Sequence, residues 1–462
     1  MKKLNKAIKY LIYVLPVVLF FSYYPLIHFG ASESMNFEIS LPLIWLVLFD
    51  VLAIIIMAKR KILFQDFSKK WIWLLFPAFL TISVLWSLNS LRGILTVGIL
   101  WFLYFAIYAM FSLKSLFDEE FKKIFLKWFF GSALFMCFLC FLQCVLDLAG
   151  VAREWTLMCE GCTYLVFGFP HPNGFAIEPQ FMGNLLLAPA IVSAWMIMRK
   201  KCVKKMVPCF LIISVTLFLT FSRGAIYAFI VAMIFMTMFL IVREKKGVLK
   251  RAGMVWLAMI LAFLFTLNLQ GVMAAVSLTN DTYGSGVAKV LNHLSLGTIE
   301  IRGEKGNSGE VEEVEAVENS VENSEGTSEG IQAVFDGYAE ESTNIRMGLS
   351  SMALKVWAKD FTTMMFGVGL GGAGQALYVN NLTDSPKEII QNQYVSLLLE
   401  VGIVGIMLMI LTLVLIVKEI CKRKNFGMAL SLAVAYGISL MFFSGLPNAL
   451  QIYLLPAILI LV

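Results

Sequence analysis

Long apolar stretches alternate with short polar connections along most of this 462-residue chain. Many of these stretches reach roughly 20 residues, which is enough to cross a bilayer as a helix. The pattern predicts an all-α polytopic membrane protein with about 12 transmembrane helices and one large extracytoplasmic loop. The predicted spans are 10–29, 40–58, 71–88, 93–112, 124–148, 174–198, 206–221, 225–242, 252–272, 392–417, 427–446 and 449–462.

The distribution of Lys and Arg predicts the orientation of these helices. Of the 37 basic residues, 27 lie in the N-terminus and in the alternate connections 59–70, 114–127, 199–205, 243–251 and 418–424. The positive-inside rule places these segments and both termini in the cytoplasm. The first span opens with "MKKLNKAIKY" and shows no small-residue cleavage site, so we expect a retained helix rather than a signal peptide.

One connection, 273–391, is far longer than the others and separates the first nine spans (1–272) from the last three (392–462). The predicted topology places it outside the cytoplasm. Its part 300–341 holds 13 of the 31 acidic residues and few large apolar ones, so it is predicted to be disordered. An acidic docking segment is the alternative.

The next part of this loop predicts an amphipathic helix over 343–361. Ser342 or Thr343 can cap its start. Apolar residues then recur every three or four positions on one face, at Ile345, Leu349, Met352 and Val356. We expect this helix to lie on the membrane surface or on the helix bundle.

A glycine-rich stretch, "FGVGLGGAG" at 366–374, follows this helix. It is not a dinucleotide-binding loop, because no strand of a βαβ unit precedes it. Gly367, Gly369 and Gly371 instead favour a tight turn in which another backbone segment, or a ligand, approaches closely.

The composition excludes several classes of protein. With 59% hydrophobic and only 15% charged residues, and a mean hydropathy of +0.81, the chain is unlike a soluble domain. Its net charge of +6 follows the membrane topology, so it gives no indication of nucleic-acid binding. The three histidines, His28, His171 and His293, are not spaced as metal ligands are. We therefore predict no metal and no cofactor.

Cys159 and Cys162 form a CxxC pair in the predicted outer loop 149–173. Outside the cytoplasm a disulfide is favoured over a zinc site. A redox role is the weaker alternative, because the pair lacks a thioredoxin-like context.

Arg223 stands in "TFSRGA", between two predicted spans and on the side that is poor in cations. It can reach lipid headgroups as a snorkelling side chain. However, a guanidinium in a tight helix–helix turn, between Ser222 and Gly224, is also a planar and permanent cation that matches phosphate oxygens. We therefore favour an anion-binding site at this membrane face.

Two further arginines are candidates for the same chemistry. Arg346 lies in the first turn of the predicted loop helix, where a cation opposes the helix dipole, so helix stability does not explain it. A plain surface arginine is the alternative. Arg92, in the short turn "SLNSLRG", is a weaker candidate for substrate binding.

Glu178 lies at the predicted outer end of span six, in "HPNGFAIEPQFMGN". A carboxylate at membrane depth has a raised pKa unless it is paired, so Glu178 either pairs with one of the arginines or acts on substrate hydroxyls. Asp50, in the middle of span two, is expected to make a structural hydrogen bond. His171 is a lone loop histidine with a weak claim to a catalytic role.

Four stretches follow one another along the chain, namely "EPQFMGNLLLAP" (178–189), "TFSRGA" (220–225), "NIRMGLSSMALKVWAKDFTTMMFGVGLGG" (344–372) and "QNQYVSLLLEVGIVGI" (391–406). Together they resemble the O-antigen polymerase and O-antigen ligase superfamily, whose members are membrane glycosyltransferases of the GT-C type. Each motif is short, and the resemblance depends on their order across a topology that covers about 60% of the chain.

The resemblance implies roles for individual residues. Arg223 takes the place of the family's turn arginine and Arg346 that of its loop arginine, and both are implied to hold a lipid pyrophosphate. Asn392 and Tyr394 are expected to contact sugar, and Gly367, Gly369 and Gly371 to let backbone approach the ligand. Glu178 is the candidate for orienting or deprotonating the acceptor hydroxyl.

The chain departs from the ligases of this family at one position. Ligases typically have His-Asn at the start of span ten, where this sequence has Gln391-Asn392. Glutamine cannot accept a proton as a base, so the resemblance favours a polymerase, with a ligase as the alternative.

A polymerase of this kind implies undecaprenyl-pyrophosphate-linked glycans as donor and acceptor, no metal, and a place in the bacterial cytoplasmic membrane. A chain-length regulator and a flippase are its implied protein partners. A secondary transporter or flippase is the main rival from another class, although such proteins usually have a longer connection between two six-span halves than "RKKCVKK". A non-enzymatic assembly scaffold is a further rival.

Overall fold

The computed structural model describes residues 1–32, 35–63, 71–151, 165–166, 169–244, 247–276, 282–295, 338–421, 423, 425–445 and 449–462. Cys159 and Cys162 lie outside these residues, as does all of the acidic segment 300–341 except its last four positions. The predictions of a disulfide and of a disordered segment therefore stay predictions.

Helices make up most of the described chain. They are α1 (Lys2–Leu19), α2 (Leu41–Lys59), α3 (Leu75–Ser83), α4 (Ser90–Ser112), α5 (Glu119–Leu148), α6 (Pro179–Met198), α7 (Val203–Leu219), α8 (Arg223–Glu244), α9 (Val248–Val276), α10 (Tyr283–Leu294), α11 (Tyr338–Trp357), α12 (Phe361–Phe366), α13 (Ala373–Val379), α14 (Gln393–Ile420), α15 (Phe426–Ser439) and α16 (Gln451–Leu459). Short 3₁₀ turns occupy Trp71–Leu74, Val84–Trp86 and Lys114–Leu116. Two antiparallel hairpins pair β1 (Pro25–Ser32) with β2 (Met35–Ser40), and β3 (Leu165–Val166) with β4 (Phe169–Pro170).

The prediction of a multi-pass, mainly helical membrane protein is confirmed. Among the described residues, 7 helices are long and apolar enough to cross a membrane, namely α2, α4, α5, α6, α8, α9 and α14. Each remaining predicted span overlaps a shorter or more charged helix. The count of twelve spans and the GT-C assignment stay predictions.

The first span is shorter than predicted. Helix α1 ends at Leu19, and the chain then forms the β1–β2 hairpin, in which Ile27 pairs with Ile39 and Phe29 with Phe37. The prediction had continued the helix to residue 29. Polar and apolar residues alternate in "HFGASESMNFEIS", which is the period of a strand rather than of a helix.

Most of the connections predicted as cytoplasmic meet at one end of the bundle. Lys9 Nζ lies 2.7 Å from an Asp118 carboxylate oxygen, which joins the N-terminus to the connection before α5. Arg199 and Glu244 form an ion pair at 3.0 Å, which joins the connections after α6 and after α8. Lys201 also acts electrostatically on Glu119, so the two groups share one end, as the positive-inside rule requires.

Helix α6 is the centre of the bundle. In the most apolar 18-residue stretch of α6, 89% of the residues are buried, whereas in the corresponding stretch of α14 only 22% are buried. The turn between α7 and α8 packs on its first turns, where a Cβ atom on Gly183 would lie 2.8 Å from the Ala225 Cβ. Glycine at this position therefore lets the start of α8 come close to the start of α6.

The long connection contains a helix that the sequence analysis missed. Helix α9 continues to Val276, and α10 (Tyr283–Leu294) follows and packs back onto α9. Val290 joins Phe221, Leu267, Met273 and Ala274 in one buried apolar cluster. Apolar residues at spacings of three and four in "VAKVLNHL" were the available signal.

Helix α11 corresponds to the predicted amphipathic helix, with shifted ends. It begins at Tyr338 and ends at Trp357, whereas 343–361 was predicted. It ends early because the side chain of Asp360 accepts a hydrogen bond from Thr363 N at 2.9 Å and caps the next helix, α12. Its apolar residues pack on α13 and α14, so α11 lies on the bundle; Leu349, Met352 and Val356 belong to this cluster, while Ile345 is 57% exposed.

Candidate functional site

Arg223 is the first residue of α8 and follows a sharp turn. The chain leaves α7 after Leu219 and passes through Phe221, whose φ is +46°. Ser222 then caps α8, because its Oγ accepts a hydrogen bond from Ala225 N at 3.3 Å. The turn is closely packed around Gly183, so half-buried Arg223 lies beside the first turns of α6.

Glu178 immediately precedes α6 at the same end of the bundle, which we call the site end. Burial raises the pKa of its carboxyl, and the positive charge of Arg346 opposes that rise. Two of the three predicted catalytic residues therefore interact electrostatically. Because Gly183 packs against the turn before Arg223, the third lies at the site end as well.

The start of α14 reaches this end through the segment 440–445. The backbone N–H of Gln393 donates to the Leu440 carbonyl at 2.9 Å, and the Gln393 Oε1 accepts from Gly445 N at 2.8 Å. In the same segment, Phe442 lies directly against Gly224. The residues predicted to contact sugar are thus close in the fold to the Arg223 turn.

Asn392 and Tyr394 have structural partners of their own. Asn392 caps α14, since its Oδ1 accepts from Tyr394 N at 3.1 Å and from Val395 N at 3.2 Å. The Tyr394 hydroxyl donates to the Gly437 carbonyl at 2.6 Å. Both contacts explain these residues without a ligand, and their predicted sugar contacts stay a prediction.

The glycine-rich turn is as tight as predicted. Gly367, Gly369 and Gly371 have φ values of +73°, +87° and +81°. A Cβ at Gly367 would lie 2.3 Å from the Glu400 backbone, and one at Gly369 would lie 2.3 Å from the Ser87 Cα. The space that these glycines leave is filled by this chain's own backbone, so the expectation that they admit a ligand finds no support there.

This turn is joined to a break in α14. Gly402 has φ +61° and ψ −171°, which interrupts the helix and releases carbonyl groups of the preceding turn. The Leu399 and Glu400 carbonyls accept hydrogen bonds from Val368 N and Gly369 N, each at 2.9 Å. The glycine turn therefore supplies hydrogen-bond donors to the carbonyl groups that the break exposes, and these bonds attach the end of the long connection to α14.

Arg92 belongs to this junction rather than to the Arg223 turn. Buried Glu400 accepts hydrogen bonds from the backbone N–H groups of Gly371 and Ala373, and Arg92 acts on its carboxylate electrostatically. Sequence reasoning missed Glu400, although an acidic residue inside "LLLEVGIVGI" was a usable signal. The predicted role of Arg92 in substrate binding gains no support from this position.

Two other buried groups differ from expectation. Asp50 is 1% exposed, and within the described chain neither of its carboxylate oxygens has a hydrogen-bond partner, so the structural hydrogen bond that we predicted is not found. Its helix surroundings are mostly apolar.

Sequence reasoning also undervalued His293 on α10, whose ring contacts the Phe221 carbonyl next to Arg223. Among the described residues, no three His, Cys, Asp or Glu side chains lie close enough to hold a metal ion.

Comparison with known proteins identifies one region of the chain. Residues 208–410 match the family model described as O-antigen ligase. This range contains Arg223, Arg346, the glycine turn and the start of α14, while Glu178 and Arg92 precede it. No curated protein and no solved structure matches the chain. The match at residues 208–410 supports the resemblance to the O-antigen polymerase and ligase superfamily that the motifs predicted.

Proposed function

We propose that this protein polymerises undecaprenyl-pyrophosphate-linked oligosaccharide repeat units into a cell-surface polysaccharide. The reaction takes place at the outer face of the bacterial cytoplasmic membrane, with both termini in the cytoplasm. Two observations support the proposal. Glu178 interacts electrostatically with Arg346 and precedes the helix on which the turn before Arg223 packs. Both arginines also lie inside the region that matches the O-antigen ligase family.

The chemistry is a glycosyl transfer between two lipid-linked sugars. A hydroxyl of the acceptor attacks the anomeric carbon of the donor, the bond from that carbon to the pyrophosphate oxygen breaks, and undecaprenyl pyrophosphate leaves. Negative charge develops on the leaving diphosphate. Arg223 and Arg346 stabilise that charge through preorganised, charge-assisted hydrogen bonds.

Glu178 is suited to accept the proton of the attacking hydroxyl. Burial raises the pKa of its carboxyl, which makes the ionised form a stronger base than an exposed glutamate. The charge of Arg346 favours that ionised form. When the arginine engages the diphosphate, its stabilisation of the carboxylate weakens, so proton uptake by Glu178 becomes easier as the reaction proceeds.

Gln391 supports a polymerase over a ligase. It occupies the position at which the resemblance places a histidine in ligases, and its amide cannot take up a proton. A ligase that transfers glycan to lipid A core or to protein is the second candidate, favoured by the description of the matching family. The two differ in the acceptor, which is a growing lipid-linked glycan for the polymerase.

The other parts of the proposal concern the surroundings of the enzyme. It needs no metal and no nucleotide, because the pyrophosphate linkage of the donor already carries the energy for transfer. A flippase supplies the lipid-linked substrate at the outer face, and a chain-length regulator limits the product. A transporter would instead move a labelled lipid-linked glycan without forming a glycosidic bond.

Purified protein in lipid nanodiscs, mixed with a defined undecaprenyl-pyrophosphate-linked repeat unit and a chelator, tests the proposal. We expect a ladder of polymer on a gel, and we expect Arg223→Lys to reduce its rate by about 10²–10³, because lysine lacks the planar fork. Arg243→Lys, at the other end of α8, is the matched control and should retain activity. Normal polymer from Arg223→Lys, or transfer only to a lipid A core acceptor, would contradict the proposal.

A further inference from the structure

Two histidines converge on the turn before Arg223. The Nε2 atom of His293 lies 3.2 Å from the Phe221 carbonyl oxygen. The Nε2 atom of His171 contacts the Thr220 carbonyl oxygen, and its ring lies beside the Phe221 ring with centroids 6.0 Å apart. A carbonyl oxygen can only accept, so each imidazole donates from a protonated Nε2.

The turn needs such donors for two reasons. Carbonyl groups at the end of a helix such as α7 lack partners within the helix. In addition, Phe221 has a φ of +46°, which non-glycine residues seldom adopt and which persists only where the surroundings hold it. The two imidazoles bind the carbonyls of Thr220 and Phe221, and so hold the backbone from which Arg223 extends.

The two histidines reach this turn from separate connections. His171 precedes α6, whereas His293 lies near the end of α10. Helix α10 is itself fastened to α8, because the Tyr227 hydroxyl donates to the Leu294 carbonyl. The conformation of the Arg223 turn thus depends on two connections that are distant in sequence.

The charge state of His293 suits a supporting role. Burial lowers the pKa of His293 to about 4, and the positive charge of Arg223 contributes to that shift. At neutral pH the ring is therefore uncharged and keeps one N–H for the Phe221 carbonyl. It supports the turn without placing a second positive charge beside the guanidinium.

We propose that His171 and His293 are positioning residues that hold the Thr220–Phe221 backbone and thereby aim Arg223 at the diphosphate of the substrate. The inference rests on the proposed function, because it takes the diphosphate as the ligand of Arg223. Neither histidine needs to touch the substrate. This distinguishes the proposal from a role for either histidine as the general base.

Binding of undecaprenyl pyrophosphate to the purified full-length protein in nanodiscs tests the proposal. We expect His293→Leu to weaken binding about tenfold, as for the loss of one hydrogen bond to a buried carbonyl. His293→Gln keeps an N–H donor at a similar reach and should bind within about twofold of the unmodified protein. His171→Leu and His171→Gln form a second pair with the same expectation, which serves if His293→Leu does not fold.

A double-mutant cycle separates positioning from general destabilisation. If His293 acts through Arg223, His293→Leu has no further effect on binding once Arg223→Ala is present. Tyr283→Phe is the matched control on the same helix, because it removes only the 2.6 Å hydrogen bond to Asn268. Its binding should equal that of the unmodified protein.

The outcomes distinguish failure of the inference from failure of the proposed function. Glutamine variants as weak as the leucine variants, or additive losses in the cycle, would overturn the positioning role while leaving the diphosphate site intact. Equal binding by Arg223→Ala, or no binding by the unmodified protein, would overturn the diphosphate site and this inference together.

Discussion

Replacing Glu400 by glutamine tests whether the junction between α14 and the glycine turn is held by charge. The carboxylate accepts two backbone N–H groups, from Gly371 and Ala373, and interacts with Arg92. Glutamine has nearly the same size, but it carries no charge and keeps only one acceptor oxygen. The substitution therefore weakens the electrostatic contacts with little change in packing.

The structure gives the expected magnitude. A hydrogen bond to a charged group contributes about 1.5–3 kcal/mol and a neutral one about 1 kcal/mol, so two weakened bonds lose about 2 kcal/mol. The attraction between the carboxylate and Arg92 is also lost, but a neutral amide is less costly to bury than a carboxylate, so these two contributions oppose each other. We expect Glu400→Gln to lower the free energy of unfolding by about 2 kcal/mol.

Reversible unfolding of the purified protein in mixed micelles measures this change. The cycle of Glu400→Gln, Arg92→Gln and the double variant should give a coupling free energy of about 0.5 kcal/mol or more. Glu419→Gln makes the same chemical change at an exposed position near the other end of α14 and should leave stability unaltered. Polymer formation should fall with Glu400→Gln, since the junction anchors the segment that follows Arg346.

Two results would refute this reasoning. Additive effects of the two substitutions would show that Arg92 and Glu400 do not depend on each other. An unaltered free energy of unfolding in Glu400→Gln would show that the backbone hydrogen bonds from Val368 and Gly369 hold the junction without the carboxylate.

Three further predictions follow from the same geometry. Gly402→Ala places a Cβ 2.4 Å from the Met365 backbone at a φ of +61°. We expect it to lower the free energy of unfolding by more than about 2 kcal/mol in the same unfolding assay. Gly253→Ala is the control, because a Cβ there meets nothing within 4 Å. Asn392→Ala removes the cap of α14 and should lower the free energy of unfolding by about 1 kcal/mol. Asn392→Asp should retain the cap and therefore the stability. His293 should make stability fall as the pH drops from about 6.5 to about 4, because burial, together with the charge of Arg223, lowers its pKa from 6.5 in the unfolded chain to about 4 in the folded chain. Melting temperatures across this range should show a weaker dependence in His293→Gln, and an equal dependence would contradict the assignment.

The predictions from sequence were most accurate where a property is local. Among the described residues, hydropathy located the 7 helices that are long and apolar enough to cross a membrane, because a run of apolar side chains is enough to make a helix that a bilayer accepts. The glycine turn was also predicted correctly, since positive φ values are a preference of the residue itself. The tight turn before Arg223 was also predicted, from Ser222 and Gly224 beside it, and it lies between α7 and α8.

The predictions were weaker where a residue's partner lies far away in the chain. The sequence did not indicate that Arg92 interacts electrostatically with Glu400, because Glu400 lies in a helix more than half of the chain away. The sequence also did not indicate that the Tyr394 hydroxyl donates to the Gly437 carbonyl, while the sugar contacts expected for Asn392 and Tyr394 stay predictions. The hairpin at β1 and β2 was missed because the apolar run of α1 leads directly into it.

The amino-acid sequence by itself determined that this is a helical membrane protein, which connections carry the positive charge, and which superfamily its motifs resemble. These three properties depend on residues that are close together in the sequence, so they do not depend on how the chain folds. Only the tertiary structure decided that Glu400 holds the glycine turn, that Arg346 acts on Glu178, and that two histidines support the backbone before Arg223. Such pairings depend on how helices pack and where α14 breaks, and the energy of a buried charge depends on the neighbours that this packing brings to it.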